Sequence, residues 1–324
     1  MAKQVELYQL TPDKNVLMNC YVIRTKNDKI IVIDGGYYGA EYCYFIHSAI
    51  RAILGLKEND YFEIEAWILS HCHEDHFGEM GLQFERYSKD SNFKVNNIYF
   101  DFADFESMHY KDVGDVSYQF RDRFVRALDN YANVNGICVK ENSFYAQLNG
   151  AVINANAICN GLKIDVDGVE FEFLMTWDKS DTIVNSSSLV VKMNVYEDEK
   201  IVQSVTFLGD TSLESGERLL KTAPQEKLKS DIVQMAHHGN WACDKSVYDA
   251  IGAKVHLWPT PFWVWTCVNE RFDIAKVREW VGTSGADKYN IISCLYDAYP
   301  DNRESVDDWK KVIDGMKIAL PYNV

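Results

Sequence analysis

The sequence has no CxxC pair among its eight cysteines, only six prolines, no low-complexity stretch and no internal repeat. Scattered cysteines exclude a zinc ribbon and a disulfide framework. With no apolar leader segment following Met1–Glu6, they read as the reduced thiols of a cytoplasmic protein. No apolar run approaches the roughly 20 residues of a membrane helix, so no membrane partner is expected. Positive charge is in deficit: 33 Lys and Arg stand against 48 Asp and Glu, a net charge of −15. That balance argues against tight binding of duplex nucleic acid, which needs basic surface. What is present suits a globular chain. At 324 residues and 47% hydrophobic content, the expectation is a single domain over 1–324 with ample core. Oligomeric state leaves no mark in the sequence.

Histidine is also scarce, eight in all, yet three fall in one six-residue stretch, His71-Cys72-His73-Glu74-Asp75-His76. An apolar run, Ala66 to Ser70, precedes it and reads as a buried strand. A turn and helix are expected from Phe77 onward. Imidazole and carboxylate crowded on a loop fixed by a strand are the donors a divalent ion takes. His71 and His73 alternate on an extended loop and can reach one ion. Asp75 and His76 follow where the loop turns, towards a second. Cys72, pointing away from them, is read as packing.

Other strands end in the same kinds of residue. Lys29–Ile33 runs into Asp34-Gly35-Gly36, Val205–Leu208 into Gly209-Asp210, and Asp231–Ala236 into His237-His238-Gly239. Strand ends share one edge of a sheet, so distant residues converge there. Asn185-Ser186-Ser187-Ser188 enters another strand. Leu162–Phe173 alternates about Asp167-Gly168 and reads as a hairpin. Tyr42 to Ile53 has helical spacing with Gly55 as cap, and places His47 on its outer side. A late helix is expected over Val306–Ile313, capped by Ser305 with Gly315 past its end.

The His-x-His-x-Asp-His pattern resembles the metallo-β-lactamase superfamily. Asn-x-x-Ser-Leu, Gly-Asp and His-His-Gly resemble the branch containing the hydrolase domain of DNA-uptake competence proteins and the phosphorylcholine esterases, over roughly residues 15–260. The resemblance implies an α/β fold, the αββα four-layer sandwich, and two divalent metal ions, zinc before manganese or iron. It implies His71 and His73 on one ion, Asp75 and His76 with one of the His pair on the other, and Asp210 between them. His238 is favoured as ligand and His237 as the group facing substrate, although the sequence does not settle which. Asp34 would orient a ligating imidazole. His109, the one histidine between Leu82 and Asp210, is weighed as a third ligand and not favoured; that branch commonly lacks one. Residues 101–161 would be an insertion over the active-site face. Residues 258–324 would be an aromatic-rich C-terminal extension.

The expected function is a metal-dependent hydrolase using a metal-bridging hydroxide, with Asp75, Asp210 and His237 in the chemistry. A small, phosphate-containing molecule such as a phosphodiester or nucleotide is the favoured substrate. Asn185, Ser187, Ser188 and Trp241 are the candidates to bind it. The alternatives are a lactone, thioester or β-lactam hydrolase, a nuclease on short single strands, and a non-catalytic metal-binding scaffold. A diiron oxygen-reducing role is disfavoured, since that branch has Glu where His73 stands.

Overall fold

The computed structural model describes residues 3–10, 16–37, 45–87, 92–102, 123–124, 126–128, 130–131, 160–240, 242–267, 274–295 and 305–322. Two sheets of seven strands are built from them. The first comprises β1 (Val5–Gln9), β2 (Tyr21–Arg24), β3 (Ile30–Ile33), β4 (Phe62–Ile68), β5 (Phe93–Val95), β6 (Ile98–Tyr99) and β14 (Lys317–Leu320). Its order is β14-β1-β2-β3-β4-β5, with β6 also beside β4. The second runs β13-β12-β11-β10-β9-β8-β7. Its members are β7 (Lys163–Val166), β8 (Val169–Met175), β9 (Val190–Glu197), β10 (Lys200–Phe207), β11 (Ile232–Gln234), β12 (Val255–Trp258) and β13 (Asn290–Ile292).

The two-residue period of a strand decides the layers. In β2 and β3, Ile23, Ile31 and Ile33 face inward and meet Phe171, Val191, Val205 and Leu257 of the second sheet. Val22 and Val32 point the other way, with Trp67 of β4, onto α1 (Phe45–Leu54) and α2 (Glu74–Tyr87) through Ile50 and Phe84. On the far side, Val190, Val233 and Trp258 pack with α3 (Leu213–Thr222) and α4 (Lys245–Ile251) through Leu219, Val247 and Ile251. Helix, sheet, sheet, helix is the four-layer α/β sandwich. β3, antiparallel to β2 and parallel to β4, is buried along its whole length, as a strand covered on both faces should be. Among the described residues no helix is long and apolar enough to cross a membrane.

Several local expectations are corrected. His47 is not on a surface: it is 3% exposed, edge-on to Phe62 and Phe93 at 5.4 and 4.2 Å between ring centres. The helical stripe there is wider than the apolar residues alone suggest, because a neutral imidazole packs as an aromatic. The late helix, α6 (Val306–Lys310, after α5, Ile274–Val281), stops early. Gly315 belongs to a separate 3-10 turn, Ile313–Met316, since the chain must turn for Ile318 and Leu320 to pair with Leu7 and Val5. The stretch from 258 is thus woven into the sheets rather than added to them. Of 101–161, the described Phe124, Leu128 and Tyr131 lie in the outer core beside α2, with Tyr131 stacked on Phe84. The rest of that stretch, with His109, lies outside the described residues.

Parallel pairing sets the site. β3 and β4 run parallel in one sheet, and β10, β11 and β12 in the other. Their C-terminal ends carry Asp34, the His71 loop, Asp210, the His pair and Pro259-Thr260.

Candidate metal centre

The ligand loop turns into helix earlier than the sequence suggests. α2 begins at Glu74, so Asp75 and His76 sit in its first turn, where acidic residues suit the positive end of the helix dipole. Gly35 lets the β3 end tuck beneath it: a Cβ there would lie 2.8 Å from the Cβ of Met80.

Two groups of donors converge. His71, His73 and Asp210 form one, and Asp75, His76 and His238 the other; within each, the ligand atoms lie within 4.8 Å of one another. His71 Nε2 and His73 Nδ1 are 2.9 Å apart. His238 Nε2 is 3.0 Å from Asp75 Oδ2. Asp210 divides its oxygens between the groups. Oδ2 lies 3.8 Å from His71 Nε2, while Oδ1 lies 3.1 Å from His76 Nε2 and 4.0 Å from His238 Nε2.

The other nitrogen of each buried ring is held by the protein, the arrangement that orients an imidazole towards a metal. His76 Nδ1 donates to Asp34 Oδ2 at 2.8 Å. His71 Nδ1 lies 3.0 Å from Ser70 Oγ and 3.3 Å from Ser188 Oγ. His238 Nδ1 donates to the Pro259 carbonyl at 3.0 Å. Asp34 is itself fixed: it accepts from Asn19 Nδ2, the Ser70 amide and Ser70 Oγ at 2.6, 2.7 and 3.0 Å. The Trp67 indole donates to its carbonyl.

The residues present fit divalent cations. His76 Nε2 and Asp210 Oδ1 are buried, face each other and have no hydrogen-bond partner. Orphaned polar atoms are costly to bury, and an ion between them satisfies both. Electrostatics prepares the donors. Burial opposes charge on Asp210, but His76, His237 and His238 outweigh it and hold its carboxyl well below the usual range. Asp75 is lowered likewise, against burial, by its hydrogen bond from His238 and the charge of His76. Burial, with His76 and His73, pushes His71 well down, so it is neutral. His76 and His238 go the other way. Burial opposes their protonation, yet Asp210 and Asp34 raise the first, and Asp210 and Asp75 the second.

The His pair lies just past a strand end rather than on the strand. β11 stops at Gln234, and His237 and His238 lie in a 3-10 turn at Ala236–Gly239 with left-handed φ of 52° and 59°. Asp34 also has φ of 57°. Such conformations cost about 1–3 kcal/mol each in ordinary residues and persist only where the surroundings impose them. Here the His237 amide donates to the Gly209 carbonyl at 3.0 Å, and Thr260 Oγ1 to the His238 carbonyl. The turn sends the rings apart: His238 into the second donor group, His237 outward, 31% exposed. His237 belongs to neither group, though its Nε2 is 3.8 Å from Asp210 Oδ2. Burial lowers its pKa. Asn185 Nδ2 lies 3.4 Å from that Nε2.

Ser187 and Ser188 do not reach substrate space. Both are fully buried; Ser187 donates to the Val184 carbonyl at 2.6 Å, and Ser188 Oγ accepts from the Asp210 amide at 3.0 Å. A hydroxyl entering a strand is easily spent on backbone. Trp241 lies outside the described residues. Gln234 went unremarked in the sequence. Its Oε1 accepts from the Leu208 and Gly209 amides at 2.7 and 2.8 Å, and its Nε2 donates to the Gly209 and Met235 carbonyls at 3.0 and 2.7 Å. It clamps the turn that aims Asp210. That turn needs glycine: Gly209 has φ of +56° and lies too close to Ser70 for a Cβ.

No curated protein sequence matches the chain. Among solved structures it is similar to the metallo-beta-lactamase fold protein YhfI from Bacillus subtilis, at 14% identity over 86% of this chain and 93% of that one, TM-score 0.42. It is also similar to CmlA, a diiron β-hydroxylase from Streptomyces venezuelae, at 11% identity over 90% and 53%, TM-score 0.45. A diphosphatase of the PhnP family matches at 13% identity over 78% and 85%, TM-score 0.40. Residues 16–129 match the model of the metallo-beta-lactamase superfamily. That segment carries Asp34 and the whole ligand loop.

Proposed function

We propose that the protein is a metal-dependent hydrolase of small phosphodiesters. The observation that carries this reading is Asp210, with one oxygen turned to each of two donor groups. His71 Nε2, His73 Nδ1 and Asp210 Oδ2 would hold one divalent ion; Asp75, His76, His238 and Asp210 Oδ1 would hold the other. Nitrogen-rich donors of this kind suit zinc first, then manganese or iron. Divalent ions held there would supply Lewis-acid charge to the substrate's oxygens and would acidify a water. The protein does the rest. Asp34, Ser70, Ser188 and the Pro259 carbonyl keep the imidazoles aimed, so little reorganisation accompanies reaction. His237, neutral at rest and partly exposed, offers an N–H to a substrate oxygen. The Asn185 amide beside it supports the same oxygen.

The test is bis(p-nitrophenyl) phosphate assayed beside a lactone and a thioester, with wild type and His237→Ala and with bound metal counted. Turnover of the diester, reduced about 100-fold or more by His237→Ala at unchanged metal content, is expected. Hydrolysis of the lactone or thioester with the diester untouched contradicts the proposal. Lost metal in His237→Ala would make that residue a ligand instead.

A further inference from the structure

A cavity of about 260 Å³ opens beside Asp210 and His237, between the 3-10 turn Val184–Ser187 and the start of α3. Besides Asp210, His237 and Asn185, its lining is Ile183, Ser212, Leu213, Glu214 and Ala242. Among the described residues no lysine or arginine lines it. The nearest guanidinium on α3 is withdrawn: Arg218 pairs with the fully buried Asp181 and donates to the Thr176 and Ser186 carbonyls. Glu214 is held in place, one oxygen accepting from the Thr182 amide at 3.0 Å and the other from Thr182 Oγ1 at 2.8 Å. The start of α3 would ordinarily favour an anion. Here its first turn is closed by a capping box, in which Ser212 and Ser215 exchange side-chain and backbone bonds. Leu213, at the mouth, is 38% exposed.

Resting on the phosphodiesterase reading, we infer that this cavity takes the substrate's second ester group, and that the group is a small aryl or short alkyl moiety without a negative charge of its own. The volume lies below the roughly 300–1,000 Å³ of pockets for drug-sized ligands, which sets the size. An apolar group covers Ile183, Leu213 and Ala242 and gains their burial. A second anion would meet Glu214, with no lysine or arginine among the described lining residues to offset it, and like charges brought together out of water are strongly disfavoured. Specificity against nucleoside polyphosphates then follows from what the cavity lacks as much as from what it holds.

The experiment compares p-nitrophenyl phosphodiesters whose second ester is phenyl or 2-carboxyethyl. Both release the same chromophore, so their ratio isolates the cavity. Phenylphosphonate and 2-carboxyethylphosphonate, which have no ester to cleave, are compared by calorimetry on the metal-loaded protein. The phenyl compounds are expected to win at least about tenfold in kcat/KM and in affinity. Glu214→Lys should move both ratios towards the carboxyethyl compounds. Leu213→Glu, at an exposed first-turn position where a carboxylate suits the helix, should lower the affinity for phenylphosphonate. Equal affinities for the two phosphonates, unmoved by either variant, overturn the inference. Absence of turnover with both diesters defeats the phosphodiesterase reading instead, and the calorimetry still judges the cavity.

Discussion

Asp210 gains its importance from its two oxygens, which point to different sets of imidazoles while its amide is held by Ser188 and its turn by Gln234. Around it the protonation states are unequal. His71 is neutral and ready to bind a cation, whereas His76 and His238 are raised by their carboxylate neighbours. A proton on a raised imidazole competes with a metal ion. Metal uptake should therefore release protons, and apparent affinity should fall as the pH drops below neutrality. Zinc titrations in two buffers of different ionisation enthalpy measure this; identical heats in both would contradict it. Asp34→Asn removes the acceptor for His76 Nδ1 and should weaken metal affinity about 10–100-fold, read by competition with a chelating dye. The four residues of the ligand loop stand within six positions of one another, so their convergence is legible by spacing alone. Ser70, Trp67 and Gln234 act through tertiary neighbours, and nothing in their local sequence marks them. The left-handed backbone of His237 and His238 is equally silent in the sequence, yet it decides which ring faces inward.

At the scale of elements, strand ends carry the site and buried side chains hold the ends in place. The clamp at the end of β11 is an example. Gln234→Leu would leave the Leu208 and Gly209 amides and the Met235 carbonyl without their partner, the Gly209 carbonyl keeping the His237 amide, a loss of about 2–5 kcal/mol. It should lower the midpoint of urea unfolding and weaken metal binding together; a fall in stability with metal affinity intact would separate the clamp from Asp210. α1 supplies a pH-dependent case remote from the metals. Burial, aided by Arg51, pushes His47 down to about 3, against about 6.5 in an unfolded chain. Between those values the unfolded state takes up a proton that the folded state refuses. Stability therefore falls on acidification from about pH 6.5 towards 3, by up to about 5 kcal/mol. His47→Leu should flatten that part of the stability profile. The apolar periodicities of the strands and of α1 were legible because each buries a continuous face. His47 was not, since an imidazole that packs as a neutral ring looks polar in a pattern of letters.

At the scale of the molecule, the donors come from both sheets. Asp34 and the His71 loop follow β3 and β4, while Asp210 and His238 follow β10 and β11. Cations held between them would tie the two halves of the sandwich, and any ligand that binds only the folded state stabilises it by mass action. Free zinc at 100 times its dissociation constant should add about 2.7 kcal/mol, seen as a raised melting temperature that a chelator reverses. The sandwich was expected from the resemblance that the His-x-His-x-Asp-His pattern carries, while apolar periodicity marked only individual strands. The part played by the C-terminal segment was not legible, since an edge strand such as β14 is recognised only by its distant partner, β1.

The most direct test of the central claim is a metal count joined to a rate. Wild type and Asp210→Ala are each loaded, counted by mass spectrometry and assayed on bis(p-nitrophenyl) phosphate. The account predicts about two divalent ions per wild-type chain, metal-dependent turnover, and loss of both turnover and at least one ion in the variant. A wild type that holds no metal, or a variant as fully metallated and as active as the wild type, would contradict it.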